Sequence, residues 1–379
     1  MNFEEHVGKS MISAHGIAVP IGQIAHSAEE AAAAARQIGA CVVKAQVATG
    51  KRGKAGGIKL AATPEEAKAH AANILSMTID DWPVHNVLVE EQSPIARELY
   101  AAIVIDPVNK SPMVLFSTLG GMDVEEAAVR DPNAMRRMAL SMSAGLDEHQ
   151  ATTFLNGLDL SGLDNVIGAT LVALYCAFRA LDAELLEVNP LVITQDRRVV
   201  ALDCKLTVDD AAVYRQPDAA VLATPDRSTD LERKAADAGL KYIELGGSVG
   251  VLANGAGLTM TTMDVIAHYG GSPANFLEIG GEAYTKSHTA LSILLENKRI
   301  KSLLVNFCGA FARTDVMAEG VVAAWEDLKP DIPIFFTIHG TGEEEAISLV
   351  QNRLGITPFN LMDDAVKAAV RAAAEGGTV

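Results

Sequence analysis

Three groups of side chains in this chain have types and spacings suited to phosphate chemistry. The first is Lys44 and Gln46, followed by Lys51-Arg52-Gly53-Lys54-Ala55-Gly56-Gly57. A lysine on a strand ahead of a cationic, glycine-rich hairpin can close over phosphate oxygens. Glycines let backbone N–H groups approach, and the cations offset charge. The segment is not a GxxxxGK[ST] loop, and a solvated basic turn is the competing reading. The second group is Glu90 and Glu91 after Leu88-Val89, with Glu98 before Leu99-Tyr100. An acid at a strand end can accept from an adenine amino group or ribose hydroxyls. Ordinary surface glutamates are the simpler reading of that pattern alone. The third group is Asn189 in Glu187-Val188-Asn189-Pro190-Leu191 and Asp203 in Leu202-Asp203-Cys204-Lys205. Two hard oxygen ligands at the ends of apolar strands could hold Mg²⁺, with waters and phosphate oxygens completing its shell. A carboxylate beside Val and Leu is costly without a cation. An internal salt bridge, with Lys205 the nearest partner in sequence, is the alternative.

These groups need elements to carry them. The pattern predicts a short helix over 3–15, a strand near Val19, an Ala-rich helix over 28–39 capped by Ser27, and a strand over Cys41–Gln46. Helix over 64–77 and strands at Val87–Glu90, Leu99–Ile105 and Val114–Ser117 follow. Residues 124–180 read as mostly helical, and Glu184–Ile193 and Val199–Asp203 as two strands. The polar stretch Gln216–Asp230 reads as a linker. Beyond it, short apolar runs at Tyr242–Leu245, Val249–Asn254, Phe276–Ile279, Leu303–Phe307 and Ile334–Ile338 alternate with helical patterns at 258–269, 286–296, 314–328 and 342–353. That rhythm predicts a parallel, doubly wound sheet, with functional groups on loops at the carboxyl ends of strands. Glycines concentrate in three such loops: 254–257, 280–281 and 309–310.

The bulk numbers limit what the chain does. Its 379 residues call for two or three domains at about 100–200 residues each. Apolar residues make up 49% but aromatics only 5%, so small aliphatics must build the cores. A formal net charge of −17 repels a phosphate backbone and argues against nucleic acid. Four cysteines, Cys41, Cys176, Cys204 and Cys308, form no CxxC pair and are expected as buried free thiols in a reducing compartment. The acidic start lacks a signal core, and no long apolar run suggests a membrane span. A cytoplasmic protein is expected.

Long collinear stretches then identify a resemblance. VVKAQ…RGKAGG (42–57), ARELY (96–100), EVNPLVIT (187–194), ALDCKL (201–206), YRQPD (214–218), NGAGLTMTTMD (254–264), GGSPANFLEIGG (270–281) and LLVNFCGAFARTD (303–315) resemble the β subunit of succinyl-CoA synthetase over nearly the whole chain. Malate–CoA ligases and related acid–CoA ligases share that family. The resemblance implies an α/β protein: an α+β ATP-grasp nucleotide-binding domain over 1–228, then a flavodoxin-like parallel α/β domain over 229–379. It implies an ADP-forming reaction in which the acid becomes an acyl phosphate and CoA displaces phosphate. A histidine of an α-type, CoA-binding partner subunit carries the phosphoryl group. Lys44, Arg52, Gly53 and Lys54 match phosphate-side positions, Glu90 and Glu98 adenosine-side positions, and Asn189 and Asp203 the Mg²⁺ ligands. Glu187 matches a glutamate that meets the partner's histidine loop, and it and Arg52 are the catalytic candidates. Pro20 matches a position where ATP-using members carry proline, favouring ATP over GTP. Asn254, Gly309, Ala310, Phe311 and Ala312 fall in the dicarboxylic-acid region. The chain has no GxGxxG opening of the dinucleotide type, and none of its nine histidines lies in the family's phosphohistidine motif.

The chain departs from the family pattern in places. The basic loop reads VATGKRGKAGG rather than HAGGRGKAGG. Gly309-Ala310-Phe311-Ala312-Arg313 stands where succinate enzymes carry GGIVR. Ile338-His339-Gly340-Thr341-Gly342-Glu343 replaces a LEGNN-like segment, and Glu282 replaces a third glycine after Gly280-Gly281. An acid other than succinate, such as malate, is therefore an open alternative. A stand-alone ATP-grasp ligase and a degenerate nucleotide-binding subunit are two more.

Overall fold

Side-chain caps set where the early helices begin. Ser27 accepts from the Glu30 N–H and Thr63 from the Glu66 N–H, so helix follows each directly. The computed structural model describes every residue except 51, 122–133, 226, 281–284 and 377–379. The chain divides into two compact units, Met1–Asp226 and Arg227–Val379.

The first unit runs α1 (Glu5–Ser13), β1 (Gly22–Ala25), α2 (Ala28–Ile38), β2 (Cys41–Ala45), β3 (Ile58–Ala61), α3 (Pro64–Leu75), β4 (Thr78–Ile79), β5 (Trp82–Pro83), β6 (Val87–Glu91), β7 (Ile95–Asp106), β8 (Ser111–Ser117) and β9 (Met135–Ala139). It continues with α4 (Glu148–Leu155), α5 (Asp164–Ala180), β10 (Ala183–Thr194), β11 (Val199–Ala201), β12 (Lys205–Val208) and α6 (Pro217–Leu222). Two large antiparallel sheets result, beside the small β4-β5 pair. One has the order β1-β6-β2-β3; the other runs β11-β10-β7-β8-β9, with β12 also on β10. The smaller sheet buries Ala31, Ala35, Ala67 and Ala71 of α2 and α3 against Val43 and Val89. Alanines keep those helices close to the strands, which suits a chain poor in aromatics. The larger sheet packs Leu99, Ile103, Phe116 and Leu186 against Leu171 and Leu174 of α5.

In β10 the ladder to β7 shifts register between Val188 and Leu191, around Asn189-Pro190. Proline has no N–H to give the ladder. Before the break β10 pairs with β12 through Glu187↔Lys205; after it, with β11 through Leu191↔Ala201. Asn189 and Asp203 therefore sit at neighbouring interruptions of one sheet.

The second unit contains α7 (Asp230–Asp237), β13 (Lys241–Glu244), β14 (Val249–Ala253), α8 (Ala256–His268), β15 (Asn275–Glu278), α9 (Ser287–Glu296), β16 (Ser302–Gly309), α10 (Thr314–Leu328), β17 (Ile334–Gly340), α11 (Glu343–Leu354) and α12 (Met362–Ala374). Its sheet has the order β13-β15-β14-β16-β17, with β15, β14, β16 and β17 parallel. Separate cores cover the two faces, Val251, Ile266 and Val366 on one and Leu303, Met317 and Phe336 on the other. The doubly wound expectation holds there.

Three expectations need correction. The edge strand β13 runs antiparallel to β15. Helix over 124–180 holds for α4 and α5, but Met135–Ala139 is a strand, and 124–133 lies outside the described residues. The free edge of β8 supplies hydrogen-bond partners that no local pattern announces. Helix α6 also falls inside the expected linker. Among the described residues, no helix is long and apolar enough to cross a membrane.

Candidate functional site

Helix α1 turns one face inward, and that face carries charge: Glu5, Gly8, Lys9 and Ile12 are all buried. Glu5 and Lys9 stand one turn apart and meet at 2.9 Å. Above them lies Lys44 of β2, whose ammonium donates to Glu5 Oε1 at 2.9 Å, to Glu90 Oε2 at 2.7 Å and to the Leu202 carbonyl at 2.6 Å. Lys9 also reaches Glu90 Oε1 at 2.5 Å. Arg52 donates through one guanidinium nitrogen to Glu5 Oε2 at 2.8 Å and to the Ala45 carbonyl at 3.2 Å. Its other terminal nitrogen holds both oxygens of Asp203 at 2.6 Å. Three cations and three carboxylates thus interlock. Balanced pairing is what makes such burial tolerable.

The hairpin that presents Arg52 closes with the Gly57 N–H donating to the Arg52 carbonyl at 2.9 Å. A side chain at 57 would be crowded, because a Cβ there would stand 3.0 Å from the Ala45 Cβ and 3.2 Å from the Arg52 carbonyl.

Arg52, Gly53, Lys54, Glu187, Asn189 and Asp203 all line one cavity of about 710 Å³ within the first unit, together with Glu5 and Lys205. Phe3, Tyr100, Met113, Leu115 and Met135 provide apolar lining. Lys44 and Glu90 are not in the lining; they are buried and reach the cavity charges through Glu5. Pro20 and Glu98 also lie outside the lining. Lys51 lies outside the described residues.

Arg52 is 6% exposed and Glu90 2%, whereas Gly53, Lys54 and Ala55 of the hairpin are exposed and Glu91 and Glu98 half-buried. Asp203 does form an internal salt bridge, with Arg52, while Lys205 stands opposite Glu187 in the strand ladder. Glu5 and Lys9 escaped the sequence reading. Their signal is available: charges at i and i+4 on the stripe that also carries Ile12.

Burial alone would favour the neutral acid at Glu5, yet Lys44, Lys9 and Arg52 hold its pKa well below the ordinary value. Burial also opposes the charge on Lys44, and Glu5, Glu90 and Asp203 override it, so its pKa is raised. Arg52 is likewise held charged, burial being outweighed by Asp203 and Glu5. A carboxyl with a depressed folded pKa adds stability above its unfolded pKa of about 4.3 and loses it as pH falls through the folded value. Urea melts at pH 7 and at pH 3 should therefore differ less in Glu5→Gln than in the parent chain. Equal acid sensitivity would remove Glu5 as a source of acid lability.

Cys41 and Cys204 are buried, and burial raises both thiol pKa values. Cys176 and Cys308 are exposed, which corrects the expectation of four buried thiols. All four are free. Cys176 shows how a helix with an apolar sequence still turns one side outward.

Among the described residues no group of three or more His, Cys, Asp or Glu side chains gathers as a metal site. That is compatible with Mg²⁺, which commonly uses one or two carboxylates plus substrate phosphates. Asn189 and Asp203 offer oxygens to the same cavity. Asn189 Oδ1 accepts from the Gly121 N–H at 2.9 Å, and Asp203 from Arg52 and the Cys204 N–H. The donor chemistry fits a hard cation, once Arg52 gives up its share of Asp203.

In the second unit the glycine loops that follow β14 and β16 meet beside the carboxyl end of β17. The Asn254 amide donates to the Cys308 carbonyl at 2.8 Å, and its oxygen accepts the Cys308 N–H at 2.7 Å. Gly309 opposes Gly340 across the ladder. Ala310, Phe311 and Ala312 follow at the start of α10, with Phe311 fully exposed. Gly281 and Glu282 lie outside the described residues. Gly340 has φ +95°, and a Cβ there would stand 2.1 Å from the Gly309 carbonyl oxygen. Gly340→Ala is expected to lower the stability of this unit by about 1–3 kcal/mol, read from thermal melts; an unchanged melt would show that the loop relaxes freely.

A family model described as an ATP-grasp domain matches residues 2–193, and one described as CoA-ligase matches residues 252–370. The chain is 41% identical over 383 residues to the ADP-forming succinate–CoA ligase β subunit of Rubrobacter xylanophilus, covering 100% of both chains. It is 39% identical over 355 residues to the GDP-forming β subunit of Thermus thermophilus, covering 93% of this chain and 94% of that one. Among solved structures it is similar to an ATP citrate lyase from Methanothrix soehngenii in complex with citrate and coenzyme A. That match has a TM-score of 0.76 at 22% identity and covers 98% and 99% of the two chains, a likeness of fold. An ATP-grasp domain followed by a CoA-ligase domain, matched end to end at this level of identity, places the chain in the β-subunit family of the succinate–CoA ligases.

Proposed function

We propose that this chain is the nucleotide-cleaving subunit of an ADP-forming acid–CoA ligase, working with an α-type subunit that binds CoA and carries the phosphohistidine. The observation that carries this reading is the shared cavity. It brings the Arg52 guanidinium together with the Asn189 and Asp203 oxygens, and Asp203 is 2.6 Å from Arg52. A triphosphate needs both a cation for its oxygens and hard oxygen ligands for its metal.

In this reading Arg52, Gly53 and Lys54 face the phosphates, and Lys44 supplies positive potential from behind them. Glu98 and Pro20 belong to the adenosine side. Glu90 was grouped with them, but both its oxygens are engaged by Lys9 and Lys44, so we assign it to holding those lysines. Mg²⁺ held by Asn189 and Asp203 would offset negative charge on the transferring phosphoryl group. Glu187 lines the cavity where the partner's histidine would arrive. The phosphoryl group moves from nucleotide to histidine and then to the acid. The CoA sulfur attacks the acyl carbon, and phosphate leaves.

Asn254, Gly309, Ala310, Phe311 and Ala312 form the proposed acid region. Gly309-Ala310-Phe311-Ala312-Arg313, standing where succinate enzymes carry GGIVR, motivates an acid other than succinate, such as malate, as the second reading. The test is coexpression with an α-type subunit, then CoA-dependent ADP release with ATP or GTP against a panel of dicarboxylates. CoA-dependent cleavage with one acid class supports the function, and preference for succinate removes the second reading. No CoA-dependent cleavage with any acid would overturn the proposal. MgATP should also raise the melting temperature, by the equivalent of about 2.7 kcal/mol at a hundredfold excess over Kd.

A further inference from the structure

Arg52 is held at its two terminal nitrogens by different kinds of partner. One donates inward, to Glu5 Oε2 and the Ala45 carbonyl. The other donates to Asp203, at the cavity. If Asp203 turns to a metal ion, the second nitrogen loses its partner and the first does not. Glu5 therefore remains as the counter-ion while Asp203 is exchanged.

The same carboxylate holds the other phosphate-side cation. Glu5 Oε1 accepts from Lys44 at 2.9 Å, and Lys44 has each of its three donors engaged, by Glu5, Glu90 and the Leu202 carbonyl. Glu5 has a fully buried side chain and comes from the first turn of α1, 39 positions before Lys44. Helix α1 can lie this close because Gly8 faces Cys204, where a Cβ would come within 3.1 Å of the sulfur. Lys9 balances the extra charge.

We propose that Glu5 is a positioning residue for nucleotide binding: one buried carboxylate holds Lys44 and Arg52 in fixed relation, so that release of Asp203 presents the free guanidinium edge to a phosphate. The proposal rests on the nucleotide-cleaving reading of this cavity. It makes no use of contact between Glu5 and the nucleotide.

The test uses the full chain assembled with its α-type subunit. Glu5→Gln keeps the shape and one acceptor but removes the charge, and Glu5→Asp keeps the charge while withdrawing it by one methylene. Ile12→Ala, on the same helix face but carrying no charge, reports what simple destabilisation of α1 does. Calorimetric MgATP binding and steady-state KM values for nucleotide, acid and CoA are measured. Glu5→Gln should raise Kd and KM for MgATP about tenfold or more, with KM for acid and CoA unchanged. Glu5→Asp should fall between it and the parent, which also covers the case in which Glu5→Gln does not fold. Ile12→Ala should lower melting temperature without moving the nucleotide KM. Unchanged nucleotide KM in Glu5→Gln and Glu5→Asp, or an equal rise in Ile12→Ala, would overturn the proposal. Absence of MgATP binding by the parent enzyme would instead sink the functional reading beneath it.

Discussion

Arg52→Met is expected to reduce nucleotide-dependent acyl-CoA formation by about 10²–10³-fold, the usual loss when one preorganised donor to a developing charge is removed. Methionine nearly matches the length of the arginine stem, so packing around Ala45 is largely kept. What goes is a guanidinium 6% exposed, held charged in spite of its burial. Charge fixed in a water-poor site is worth more than the same charge in solvent and costs no reorganisation during the reaction. Arg52→Lys should recover only part of the loss, because a point-like ammonium cannot bridge Glu5 and Asp203 as the planar fork does. The measurement is kcat/KM for nucleotide in the assembled enzyme, with circular dichroism to confirm folding. A loss of less than fivefold would mean that Arg52 serves the cluster alone.

Lys44→Met carries the largest expected stability effect. The ammonium is buried and joins Glu5, Glu90 and a backbone carbonyl. Its removal leaves three carboxylates facing two cations in a largely buried cluster. Uncompensated buried charge of this kind costs about 3–5 kcal/mol. Adding Glu5→Gln restores the balance at two against two. The double variant should therefore be less destabilised than the sum of the singles, by about 1–3 kcal/mol. Urea unfolding of the four proteins completes the cycle. Simple additivity would show that geometry, not charge balance, holds the cluster together.

Much of the second unit was legible in one dimension. Strands such as Leu303–Phe307 are buried on both faces and read as apolar runs, broken there only by the buried Asn306, and the helices between them carry the helical period. The first unit was harder. Strand β9 carries two arginines and no β signal, and it exists because β8 offers an edge. The residues proposed for the phosphate side stood out by type: Arg52 and Gly57 in one hairpin, Asn189 and Asp203 at strand ends. The partner of Asp203 did not, since 151 positions separate it from Arg52.

Residue order alone determined the two-part architecture, the family, and the side chains proposed to meet a triphosphate, because local periodicity and motif spacing are properties of neighbours along the chain. Tertiary structure decided the pairing: Arg52 with Asp203, Lys44 with Glu90, and α1 with all of them through Glu5. Coulombic energy depends on distance in space and on exclusion of water, and neither is set until helix α1 folds against the strands and removes five charges from solvent together, with the half-buried Asp203 at their edge.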